Sequence, residues 1–161
     1  GIAASRRTPF VVAAVAQARL QGARTIYVTT NPRSQFNLEV DVAICPEVGP
    51  EVLTGSTRMK SGTAQKMVLN MLTTTAMVRL GKVYENLMVD LRQTSGKLAE
   101  RARSILMAAG GVGYQEAAEA LDAADGEVKT ALVMLRRGVD GRTARRLLAE
   151  HEGFVRGALN G

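Results

Sequence analysis

The chain has 161 residues, 46% hydrophobic and 22% charged, the balance of a globular protein with one domain, or part of one plus a small appendage. No apolar run reaches the roughly 18 residues of a membrane-spanning helix, which argues against a membrane protein. A net charge of +6 invites nucleic acid as a partner, but the cations are scattered and aromatics are only 4%. Base-stacking platforms are therefore scarce, and no nucleic-acid partner is expected.

Taken in order, Gly1 to Ala4 reads as the end of a buried strand. A chain that opens inside a strand, without Met, is expected to be a fragment. Ser5-Arg6-Arg7-Thr8-Pro9 follows as a loop, with Pro9 suited to the first turn of a helix. Phe10 to Leu20 carries Val11, Val12, Val15 and Leu20 among alanines, a helix stopped at Gly22. Thr25 to Thr30 and Val40 to Cys45 read as short buried strands, with a loop at Asn31, Pro32 and Ser34. This order is that of a parallel α/β sheet, which binds ligands beyond the carboxyl ends of its strands. Ser5 to Thr8, Thr29 to Ser34 and Glu47 to Ser56 fall at that edge. The single cysteine, Cys45, excludes an internal disulfide, fits a reducing cytoplasm, and in V-A-I-C-P reads as filler rather than nucleophile.

The most informative stretch is Glu47 to Lys66, where Thr54, Ser56, Thr57, Ser61 and Thr63 alternate with Gly49, Gly55 and Gly62. Arg58, Lys60 and Lys66 add positive charge. A hydroxyl-rich, glycine-broken loop feeding a helix N-terminus suits an anion, because free N–H groups and the helix dipole both point at it. An N-cap and a turn would draw on the same residue types. Glu47 and Glu51, four apart around Gly49-Pro50, lie on a turn rather than on one helix face.

From Thr63 onward the pattern is helical throughout. Thr63 to Leu80 is apolar nearly all round, as in a helix buried on several sides, and Val83 to Leu91 continues it. Gln93 to Ala109 reads as an amphipathic rod leading away from the sheet, and Gly110 to Gly113 as a linker. Tyr114 to Ala123, Glu127 to Arg137 and Gly141 to Glu150 read as three short helices before a frayed end at Gly157, Asn160 and Gly161. The domains expected are 1–92, a connecting helix over 93–110, and a small bundle over 111–161. The lone histidine, His151, sits between acids as a solvated helix residue, and the seven methionines fall at helical spacing as core filler. No metal-ligand spacing occurs and no cofactor is expected.

The run E-V-G-P-E-V-L-T-G-S-T-R-M-K-S-G-T-A-Q-K-M-V-L-N-M-L, Glu47 to Leu72, resembles the signature of the N-acetylmuramic acid 6-phosphate etherases, bacterial enzymes of the sugar isomerase (SIS) fold. The resemblance covers essentially the whole chain as a C-terminal portion. It implies the second half of an SIS parallel sheet with flanking helices, followed by a helical bundle resembling a ubiquitin-associated domain, in the role of a packing or dimer module. Ala4 to Pro9, A-S-R-R-T-P, is similar to the family's phosphate loop A-S-G-R-T-P, departing at Arg6. There the family has glycine, and an arginine either adds charge to the site or weakens it.

By that resemblance Ser5, Thr8, Glu51, Thr54, Ser56, Thr57 and Lys60 are the expected substrate and phosphate contacts, with Glu51 either touching sugar hydroxyls or bracing the loop. The implied reaction eliminates D-lactate from C3 of the sugar, a base taking the C2 proton and an acid assisting the leaving group, before water adds back to give N-acetylglucosamine 6-phosphate. The catalytic acids are expected in the part of the family that precedes this chain, so none is assigned here. The implied partners are a sugar 6-phosphate and a second copy of the chain. Some SIS proteins sense sugar phosphates without turning them over, and a regulator of that kind is the alternative.

Overall fold

The structure, a computed structural model, describes residues 1–5, 7–35, 37–91 and 93–161. The expectation for Arg6 lies outside the described residues. The chain divides into two compact units, Gly1–Thr73 and Thr74–Gly161, with the boundary inside one helix.

In the first unit Pro9 occupies the opening turn of α1, Pro9–Leu20, where its missing N–H is no loss. Beyond the helix the Ala23 amide returns to the Ala18 carbonyl, closing the C-terminus around Gly22. Strand β1, Ile26–Val28, pairs in parallel with β2, Val42–Ile44, in the register Tyr27 to Ala43. Ile2 forms a parallel bridge to Val28. Three chain segments therefore run side by side and share one carboxyl edge. Asp41 fixes the start of the pairing by accepting hydrogen bonds from Thr25 N and Thr25 Oγ1 at 2.7 and 2.9 Å. Ala3, Val15 and Tyr27 form the core of this unit, with Val11, Leu38 and Val40 packed against it.

Helix α2, Lys60–Arg79, does not meet the expectation of burial on several sides. Ser61 and Val68 are its buried residues, while Met67, Met71 and Met77 are about half exposed. An all-round apolar sequence needs surfaces on several sides, and the neighbours present cover only a narrow stripe.

In the second unit Val83 to Leu91 departs from the expected helix. β3, Val83–Tyr84, and β4, Leu87–Met88, form an antiparallel hairpin with Val83 opposite Met88. The β-branched Val83 and aromatic Tyr84 lead into a two-residue turn at Glu85-Asn86, and this local pattern wins over helical continuity. Helix α3, Gly96–Gly110, is capped by Ser95, whose hydroxyl accepts from Leu98 N. Its Ala102, Ile105 and Leu106 are buried with residues of α4, Tyr114–Ala123, and α5, Val128–Arg137. Gly110 to Gly113 is a tight turn inside this unit, since Val112 packs on the core and Gly110 lies against Leu135. Helix α6, Gly141–Glu150, starts on Asp140, which accepts from Thr143 N at 2.7 Å. The expected frayed end is instead a helix, α7, Val155–Asn160, held by buried Val155 and Ala158. Arg137 donates to its last carbonyls, on Ala158 and Leu159, which satisfies a helix end that the sequence pattern left open.

Candidate functional site

The shared carboxyl edge of the sheet opens into a cleft of about 330 Å3 in the first unit. Each of the three segments expected at that edge contributes. Ala4 and Ser5 come from the first, Thr30 and Asn31 from the second, and Glu51, Thr54, Ser56, Thr57 and Ser61 from the third and the turn of α2 it feeds.

Hydrogen bonds tie these segments together. The Ala4 carbonyl accepts from Thr29 Oγ1 at 3.0 Å and from the Asn31 side-chain amide. Thr29 is fully buried, so its hydroxyl needs this partner. Thr30 Oγ1 and Ser61 Oγ lie 2.9 Å apart and link the second segment to the third. The hydroxyl loop is folded by a turn in which Ser56 N donates to the Leu53 carbonyl at 3.1 Å. Gly55 stands at the third position of that turn with φ +84°, a conformation that favours glycine.

Of the residues expected to bind substrate, Ser5, Glu51, Thr54, Ser56 and Thr57 line the cleft together. Thr8 is not among the lining residues; it is exposed ahead of α1, where its side chain makes no capping bond. Lys60 also lies outside the lining, and its Nζ donates to the Pro50 carbonyl at 2.8 Å. Thr30, Asn31 and Ser61 line the cleft without being among the expected substrate contacts. The strand pattern placed Thr30 and Asn31 at the edge and the hydroxyl run held Ser61, but the contact that joins Ser61 to Thr30 spans 31 positions and leaves no local signal.

Glu51 is the one charged side chain among the described lining residues. Its carboxylate accepts from Ser61 N through Oε1 and from Lys60 N through Oε2, both at 3.1 Å. These amides hold its carboxyl below the usual glutamate range, the Ser61 bond contributing most and burial working against it. The anion at the N-terminus of α2 is thus the protein's own. Glu47 is exposed and outside the cleft. Cys45 is half-buried and burial pushes its thiol up, which favours the protonated, unreactive form. Among the described residues no cluster of His, Cys, Asp and Glu could hold a metal ion, and no helix is long and apolar enough to cross a membrane.

The arrangement defines an α/β protein with a hydroxyl-lined cleft at the carboxyl edge of parallel strands, the kind of place that suits a small polar ligand. No family model matches the chain. It is 60% identical, over all of its residues, to the N-acetylmuramic acid 6-phosphate etherase of Salinibacter ruber, covering 52% of that protein. It is 53% identical over 99% of its length to the etherases of Salmonella paratyphi B and Salmonella enteritidis, covering 54% of each. This chain is a homologue of the N-acetylmuramic acid 6-phosphate etherases and spans about half the length of the curated relatives it matches.

Proposed function

We propose that the cleft binds the phosphate and sugar of an amino-sugar 6-phosphate, and that the whole protein carrying this chain is a cytoplasmic etherase that converts N-acetylmuramic acid 6-phosphate to N-acetylglucosamine 6-phosphate and D-lactate. The single observation that carries the reading is the convergence of Ser5, Thr54, Ser56 and Thr57 on one cleft at the sheet edge. Hydroxyls at such a place act as neutral donors to phosphate oxygens, and loop amides join them. The names of the relatives, at 53% identity and above, support the substrate.

Proton transfer at C2 and at the leaving lactate needs carboxyl groups free to exchange protons. Glu51 is a poor candidate, because both of its oxygens accept backbone amides. The acid and the base are sought in the half of the relatives' length that this chain does not span. The first unit is read as the second half of an SIS domain, and the helical unit as a ubiquitin-associated-like packing module. A homodimer is part of the proposal, supported by the exposed apolar residues of α2.

The test is release of D-lactate from N-acetylmuramic acid 6-phosphate by the full-length protein. Turnover of the phosphorylated but not the unphosphorylated sugar is expected. Tight binding of sugar phosphate with no lactate released would replace the enzyme by a sensor.

A further inference from the structure

We infer that Glu51 is a positioning residue: its carboxylate closes the loop from Glu51 to Ser61 on itself, so that Thr54, Ser56 and Thr57 face the ligand as a fixed set. The inference rests on the reading of the cleft as a sugar-phosphate site.

A carboxylate in the wall of a phosphate cleft is unfavourable by charge alone, because it repels the ligand. This one is spent elsewhere. Its two oxygens take the Lys60 and Ser61 amides, groups at a helix start that have no partner within the helix. Beside it the Lys60 ammonium donates to the Pro50 carbonyl, so residues 50 and 51 at the loop's entrance are bound to 60 and 61 at its exit. Ser61 carries the tie onward to Thr30, just past the end of β1.

Between these anchors the loop's own bonds are local, Ser56 N to the Leu53 carbonyl and Gly62 N to the Thr57 carbonyl. Val52, Leu53 and Met59 are strongly exposed, and Thr54 and Thr57 are exposed too. An unclosed loop of this kind would order its hydroxyls afresh at each binding event, at a cost in entropy that weakens affinity. Closure meets that cost once, on folding. It also sets the electrostatics of the site: with the end of α2 already neutralised, phosphate charge falls to hydroxyls and loop amides rather than to the helix dipole.

The test compares Glu51→Gln and Glu51→Asp with the parent in the full-length protein, by calorimetric titration with inorganic phosphate, N-acetylglucosamine 6-phosphate and unphosphorylated N-acetylglucosamine. Glutamine keeps the shape but sets an amide nitrogen against a backbone N–H. It should weaken inorganic phosphate and the sugar phosphate by a common factor of about ten, one net hydrogen bond. In turnover KM should rise by about that factor with kcat within about twofold, and amide exchange at Lys60 and Ser61 should quicken. Aspartate, one methylene shorter, should show the same pattern more weakly, and it decides the matter if the glutamine variant does not fold.

Tighter phosphate binding by Glu51→Gln would mean simple repulsion and overturn the inference. Loss confined to the sugar-bearing ligands, with inorganic phosphate unchanged, would mean direct contact with the sugar and overturn it equally. If the parent binds neither phosphate ligand, the sugar-phosphate reading itself fails, and the inference with it.

Discussion

Thr30, two residues beyond β1, and Ser61 in the first turn of α2 share a hydrogen bond, Oγ1 to Oγ at 2.9 Å, with Ser61 only 5% exposed. Removing either hydroxyl leaves the other in a site that water reaches poorly. Ser61→Ala or Thr30→Val should each destabilise the first unit by about 1–2 kcal/mol. The double variant should lose clearly less than the sum, since the second change removes an already stranded group. Urea unfolding of the four proteins in a double-mutant cycle measures this, and strict additivity would show that the bond contributes nothing.

The cleft hydroxyls are expected to act on the ligand rather than on stability. Ser56→Ala and Thr57→Val should each weaken N-acetylglucosamine 6-phosphate by about five- to tenfold, the worth of one hydrogen bond to a charged group at the low end of its range. Thr8→Ala should stay within about twofold, because Thr8 lies outside the lining. Calorimetric titration separates the two groups, and a large loss at Thr8 would redraw the site.

Acid should unfold the helical unit partly through Glu127. Hydrogen bonds from Arg145 and then Thr130 hold its carboxyl below the usual glutamate range. A depressed carboxyl stabilises the folded state above its unfolded value, and that contribution is lost as pH falls through the folded one. Glu127→Gln should therefore lower the melting temperature at neutral pH and flatten the fall in stability below the ordinary glutamate range. Thermal melts across pH test it, and an unchanged acid limb would remove Glu127 from the account.

Gly81 should tolerate no side chain. It has φ +68°, and a Cβ there would lie 3.2 Å from the Gly153 carbonyl oxygen. Gly81→Ala should cost the second unit about 1–3 kcal/mol from the strained backbone alone. Leu132→Ala, at a fully buried position, should cost about 2–5 kcal/mol by leaving a cavity. A melting curve for each is sufficient, and a neutral Gly81→Ala would show that the turn at Gly81 and the loop at Gly153 can part without loss.

Much of this was legible in the residues. Pro9 marked the start of α1, the β-branched Thr25 to Thr30 run located β1, and the glycine-broken hydroxyl run pointed to the cleft wall. The errors share a cause, namely that local pattern does not report what a segment meets in three dimensions. The apolar α2 implied burial that its neighbours do not supply. Val83 to Leu91 continued a helical spacing, yet its β-formers and turn pair with each other. The last residues looked too glycine-rich to hold a helix, but Val155 and Ala158 find a core there. For Glu51 the residues left two roles open, touching sugar hydroxyls or bracing the loop, and the amides nine and ten residues on take its oxygens.

The turn at Gly110 to Gly113 has a consequence for how this protein can be taken apart. It is the stretch where a protein engineer would cut, and where a recombination event would be expected to leave a free-standing module. A cut there strips α3 from its partners and bares Leu106, Leu121 and Leu132 together. The inheritable piece must begin upstream of Ser95, so the glycines that look like a seam are a fold line inside one indivisible part.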